Sequence, residues 1–86
     1  MELRQLRYFV KIVEHKSLGR AALELEVGVS ALSQQIGKLE SELQTRLLNR
    51  SSVGVTPTNA GIAFLHHAQL TLRQADYAVQ AAQRGR

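Results

Sequence analysis

Ser17-Leu18-Gly19-Arg20-Ala21-Ala22-Leu23-Glu24-Leu25-Glu26-Val27-Gly28-Val29-Ser30-Ala31-Leu32-Ser33-Gln34-Gln35-Ile36-Gly37-Lys38-Leu39-Glu40-Ser41-Glu42-Leu43, with the run to Arg50 behind it, is the stretch that decides the fold. Ser17 is a good helix N-cap. Behind it Ala21, Ala22 and Leu25 form a short apolar face, and the two adjacent alanines let another helix pack closely. Val27-Gly28 supplies a turn. From about residue 29 to 43, Val29, Leu32, Ile36, Leu39 and Leu43 alternate by three and four, a stripe to be buried. The other face presents Ser30, Ala31, Ser33, Gln34, Gln35, Gly37 and Lys38. A helix selected only for solubility usually carries Glu and Lys there, whereas Glu40 and Glu42 come only near the far end. Two short helices around a tight turn, the second apolar inside and small and polar outside, make a helix-turn-helix, whose second helix enters the DNA major groove.

Upstream, Leu6, Phe9, Val10 and Val13 recur at helical spacing, with Leu3 extending the face and Arg4, Arg7, Lys11 and Lys16 lying off it. This predicts a first helix from about residue 3 to 15. Downstream, Leu47-Leu48-Asn49-Arg50 and Val55-Thr56-Pro57 flank a Ser51-Ser52-Val53-Gly54 tip, the pattern of a small β-hairpin, or wing. Thr58 caps a last helix that reaches to about residue 84. Phe64, Leu65, Ala68, Leu72, Ala75, Val79 and Ala82 fall on one stripe of it, with Leu65, Ala68, Leu72, Ala75 and Val79 as the expected dimer seam, and Ile62, Leu70 and Tyr77 fall on a second. At 1.5 Å per residue such a helix runs about 40 Å and outreaches so small a globule. Its apolar length asks for a partner helix, most simply the same helix of a second subunit. The expected fold is therefore mainly α: a winged helix-turn-helix over residues 1–57, then a dimerisation helix over 58–86.

Composition sets outer limits. Eighty-six residues with 44% hydrophobic content and one proline make one small domain, or a domain plus one extra element. No apolar run is long enough to span a membrane, and the first residues do not read as a signal peptide. The absence of cysteine excludes disulfides and thiolate metal sites and is compatible with a reducing cytoplasm, the expected location. The net charge of +4 hints at a polyanion, but no dense basic block exists. His66-His67 does not make a metal site, because adjacent residues on a helix diverge by about 100°. No cofactor is expected. No Gly-rich phosphate loop and no Ser-His-Asp pattern is legible, so an enzyme is not expected. The rival reading is a helical interaction adaptor that pairs through residues 58–86 and leaves the third helix as plain solvent surface.

On these residues the chain resembles the N-terminal part of the LysR-type transcriptional regulators. The resemblance is carried by Leu3, Leu6, Phe9, Glu14, Ser17, Ala21-Ala22, Leu25, Val27, Ala31-Leu32-Ser33, Gln35-Ile36, Leu39-Glu40, Glu42-Leu43, Leu47, Arg50, Gly54, Thr58 and Ala60-Gly61, nearly the whole chain in one ungapped register. Within that family, Tyr8–Val13, Ala31–Gln35, Gly54–Thr58 and Leu72-Arg73-Gln74 are similar to the nitrogen assimilation control proteins. The resemblance implies a winged helix-turn-helix, a linker helix that dimerises, and a separate C-terminal effector-binding domain that this chain lacks. The chain is thus expected to be a fragment of a longer bacterial regulator. The full-length assembly would be a homodimer or tetramer, sensing a small-molecule effector only through the missing domain.

The resemblance also assigns roles. Ser30, Ala31, Gln34 and Gln35 are the expected base contacts; an amide can pair with adenine N6 and N7, and Ala31 can meet a thymine methyl. Ser17, Arg20, Ser33, Lys38, Arg50, Ser51 and Ser52 are the expected phosphate contacts. The DNA partner should be an interrupted palindrome with A/T-leaning half-sites. Several residues depart from the family pattern. Gly28 replaces a capping Ser, Val29 a Gln that often reaches a base, and Gln34 an Arg. Val53 replaces the basic residue of the wing, and Gln44 a Gly at the end of the third helix. Each of the changes at 29, 34 and 53 removes charge or a polar reader, so affinity per subunit should be modest.

Overall fold

The computed structural model describes residues 1–86. It contains α1 (Leu3–His15), α2 (Leu18–Leu25), α3 (Val29–Leu43), β1 (Leu48–Ser51), β2 (Gly54–Pro57) and α4 (Asn59–Arg84), in that order. The helix boundaries fall where caps and periodicity put them. Ser17 Oγ accepts from the Arg20 backbone N–H, and Thr58 Oγ1 accepts from the Gly61 N–H, so both helices start on a satisfied side-chain cap. Gly28 caps α3 in extended backbone with no side-chain bond. The helices α1, α2 and α3 each end on a left-handed residue, Lys16, Glu26 and Gln44, whose N–H returns to the last turn.

One core joins all elements. Phe9 and Ile12 from α1, Ala21 and Ala22 from α2, and Leu32, Ile36 and Leu39 from α3 close over Leu47, Leu48 and Val55 of the wing. Ala21 and Ala22 are fully enclosed, as the close crossing of α2 and α3 requires. From α4, Phe64 stands edge-on to Phe9 with ring centroids 5.3 Å apart. A second cluster sets Ala68 against Leu6 and Val10, flanked by Leu65 and Leu72. The first half of α4 therefore belongs to the same core as residues 1–57. The expectation that Leu65, Ala68, Leu72, Ala75 and Val79 form one intersubunit seam is corrected here. Ala68 is buried inside the protomer and Leu65 and Leu72 pack beside it, because α1 offers the matching apolar face. Beyond Ala75 the helix is exposed on every side and carries the molecule to a length of 49 Å.

The wing is a two-stranded antiparallel hairpin with Leu48 opposite Pro57 and Ser51 opposite Gly54. Three devices fix it to the helices. Glu40, from α3, accepts hydrogen bonds from the backbone N–H groups of Leu47 and Leu48 at 2.7 and 3.2 Å. The Val55 N–H donates to the Lys16 carbonyl at 3.1 Å, tying β2 to the loop between α1 and α2. Gly54 adopts φ +140°, and a Cβ there would press on that same Lys16 carbonyl, so the position needs glycine. Gly61 is likewise required, because a side chain would collide with the Leu47 carbonyl. Lys11 bridges Glu14 and Glu24 at 3.2 and 2.8 Å, and His15 Nε2 lies 3.1 Å from Glu24, stitching α1 to α2.

Candidate nucleic-acid interface

With Leu32, Ile36 and Leu39 facing the core, the 100° step of the helix sends Ser30, Gln34 and Ser41 directly outward and Lys38 to the flank nearer α1. All four are exposed. Ala31 is exposed toward the α1 side. Gln35 is half-buried on that same flank, where its Oε1 accepts from the Gln5 side chain at 3.3 Å. Gln5 is itself buried, and its own Oε1 accepts from the Glu2 N–H in a capping box. Gln35 is therefore held by α1, whereas Gln34 projects freely. Ser33 lies on the other flank, toward the wing, where its hydroxyl accepts from Arg50 Nη1 at 2.8 Å. That bond brings two expected phosphate contacts from separate elements to one point.

A second group of contacts gathers at the wing tip. Between the α1–α2 loop and the hairpin lies an open polar hollow of about 440 Å³, lined by His15, Lys16, Ser17, Arg20, Ser52, Val53 and Gly54. No carboxylate lines it. Lys16 and Arg20 are exposed and take part in no ion pair, and the same holds for Lys38 and Arg50. Ser51 turns its hydroxyl into the hairpin, accepting from the Val53 N–H and donating to the Gly54 carbonyl at 3.3 Å each, while Ser52 stays free. Val53 is almost fully exposed at the tip. The charge pattern is one-sided. Lys11 is neutralised by Glu14 and Glu24, and Glu24 reaches the edge of the hollow only through His15. Glu40 is turned inward onto the wing with its side chain only 14% exposed. The outward positions of α3, from Ser30 through Ser41, carry no acid. The surface is thus a neutral hydrogen-bonding ridge flanked by unpaired cations, suited to a groove between two phosphate strands.

Sequence reasoning did not single out Lys16, Ser41 or the structural role of Glu40. Ser41 was legible, since it follows Gln34 by seven residues. Lys16 was not, because its place beside the wing depends on tertiary packing.

Residues 3–62 match the bacterial regulatory helix-turn-helix proteins of the lysR family. The chain belongs to the LysR family. It is 50% identical over 78 residues to the nitrogen assimilation regulatory protein nac of Klebsiella aerogenes, covering 91% of this chain and 26% of that protein. It is 42% identical over 84 residues to the transcriptional regulator AlsR of Bacillus subtilis, covering 98% of this chain and 28% of that one. The chain thus spans about a quarter of the length of these LysR-type relatives. The crystal structure of the BenM DNA-binding domain in complex with benA site 1 DNA superposes over the full length of both chains with a TM-score of 0.95 at 42% identity. The CbnR DNA-binding domain in complex with DNA superposes with the same TM-score at 35% identity, over 99% of this chain and 98% of that one. These LysR-type structures share the four helices and the hairpin wing. No helix of the chain is long and apolar enough to cross a membrane.

Proposed function

We propose that this chain binds double-stranded DNA sequence-specifically as the N-terminal part of a dimeric transcription regulator, and that it is not an enzyme. The observation that carries the reading is the acid-free outward face of α3, set between the Ser33–Arg50 pair and the basic hollow at the wing. The likeness to DNA-binding domains crystallised with DNA supports it. In this reading α3 lies in the major groove and Gln34 is the principal reader, with Ser30 and Ala31 beside the bases. Gln35 contributes from the α1 flank. Ser17, Arg20 and Ser52 follow one phosphate strand, Ser51 being corrected out of the set because its hydroxyl is spent inside the hairpin, and Ser33, Arg50 and Lys38 hold the helix in register. The absence of an arginine on the outward face removes the bidentate fork that reads guanine, so A·T pairs are favoured.

The dimer forms through α4. Its exposed apolar residues Ile62, Leu70, Tyr77 and Val79 are 40–56% accessible in the protomer and sit on its free faces. Two-fold symmetry then demands an interrupted palindrome. An effector-binding domain and tetramer formation belong to the longer regulator. Selection of bound sequences from random duplex DNA tests the reading. An enriched palindrome with A/T-leaning half-sites is expected. On the enriched duplex, three cations per subunit near phosphates give a salt slope of about −5. Recovery of no enriched sequence would sink the proposal.

A further inference from the structure

Gly37 lies inside α3, away from both caps, where glycine weakens a helix relative to alanine. Glycine is required in a chain by positive φ, by close approach of another segment, or at a helix end. None of these applies. Gly54 is the one glycine with positive φ. At Gly61 the Leu47 carbonyl would meet an added Cβ, but at Gly37 a Cβ meets nothing within 4 Å. Nothing within the protomer accounts for the missing side chain. What Gly37 does have is a position. It is exposed, one turn after Ser33 and one turn before Ser41, on the half of the outward face nearer the wing. Ser33 defines that half, because it takes the Arg50 guanidinium from β1.

We propose that Gly37 is a positioning residue at which the DNA sugar–phosphate wall of the groove closes directly on the backbone of α3. The proposal rests on the DNA-binding reading of that helix. The bare Cα lets the strand seat on α3 one turn beyond the Ser33–Arg50 pair, and this brings Gln34 within reach of base edges. A methyl group at this point stabilises the free helix yet holds it away from the strand. Fold stability and DNA affinity therefore move in opposite directions, which a merely structural glycine cannot produce. The test uses the duplex enriched by the wild-type chain from a random pool. Gly37→Ala raises the melting temperature by roughly 2–8 °C. It weakens binding to that duplex by roughly five- to a hundredfold, as overpacking of a closed contact does, and Gly37→Leu weakens it further. Equal or tighter binding by Gly37→Ala overturns the assignment and leaves the DNA reading intact. A fall in melting temperature also overturns it, since Gly37 would then serve the fold. Failure of the wild-type chain to enrich any duplex overturns both.

Discussion

Glu40 is the residue whose removal should cost the fold most for its size. Its carboxylate accepts from the Leu47 and Leu48 N–H groups at 2.7 and 3.2 Å, and those two residues are 2% and 1% exposed. Glu40→Ala leaves both donors without an acceptor at the point where the chain enters the wing. A hydrogen bond to a charged group contributes about 1.5–3 kcal/mol. Taking the lower end for each, because the longer bond is weak and water can partly replace the acceptor, gives about 3 kcal/mol. The Arg46 Nε at 4.0 Å adds little, since that side chain is 74% exposed. At roughly 0.05–0.15 kcal/mol per residue, a domain of this length holds about 4–13 kcal/mol in all. The loss is therefore a large share, and the melting temperature should fall by roughly 12–24 °C. Glu40→Gln keeps an oxygen at the site but loses the charge, so about half the effect is expected. Thermal and urea melts followed by circular dichroism measure both. A Glu40→Ala melting temperature within a few degrees of the parent would refute the claim that this carboxylate anchors the wing.

Three further outcomes follow from the same geometry. Gln44 ends α3 at φ 51°, a conformation costly for a side-chain-bearing residue, so Gln44→Gly should stabilise the domain by about 0.5–1 kcal/mol in urea melts. Val79→Glu should shift sedimentation toward monomer while leaving the protomer's core intact, whereas Leu72→Glu should also lower its melting temperature, because Leu72 packs against the Leu6–Val10–Ala68 cluster. The third concerns the α1–α2 ion cluster: Lys11, and after it His15, hold the Glu24 carboxyl below the usual carboxylate range, while Glu24 and then Glu14 hold the Lys11 ammonium above its usual range. Glu24's contribution is therefore complete above the ordinary carboxylate range and is lost as pH falls through its lowered value. Lys11's is complete below the ordinary lysine range and is lost as pH rises through its raised value. Glu24→Gln should accordingly flatten the fall in melting temperature at both extremes, by a small amount because these side chains are exposed.

The helices and the wing were legible because their signals are local. Ser17 and Thr58 announce helix starts, and the Leu32–Ile36–Leu39 stripe has a single consistent period. The Ser51–Gly54 tip has only one use between two short apolar runs. Partnership is not local. The α4 stripe announced burial but not by what, and α1 of the same protomer takes Leu65, Ala68 and Leu72. Gln34 and Gln35 look alike in sequence, yet one step of 100° turns Gln35 toward Gln5 and leaves Gln34 outward. Glu40 read as an ordinary charge at the end of a helix because its two N–H partners lie on residues that only the tertiary fold brings beneath it.

The central claim is that the outward face of α3 reads base sequence. Repeating the selection from random duplex DNA with Gln34→Ala and with Lys38→Ala tests it most directly. Gln34→Ala should lose preference at one base pair of each half-site, with a cost of about 1–3 kcal/mol there, while Lys38→Ala should weaken all sequences about equally and reduce the salt slope. If both variants select the same sequences as the parent and differ only in overall affinity, Gln34 does not read the DNA and the account of α3 as the reading helix is contradicted.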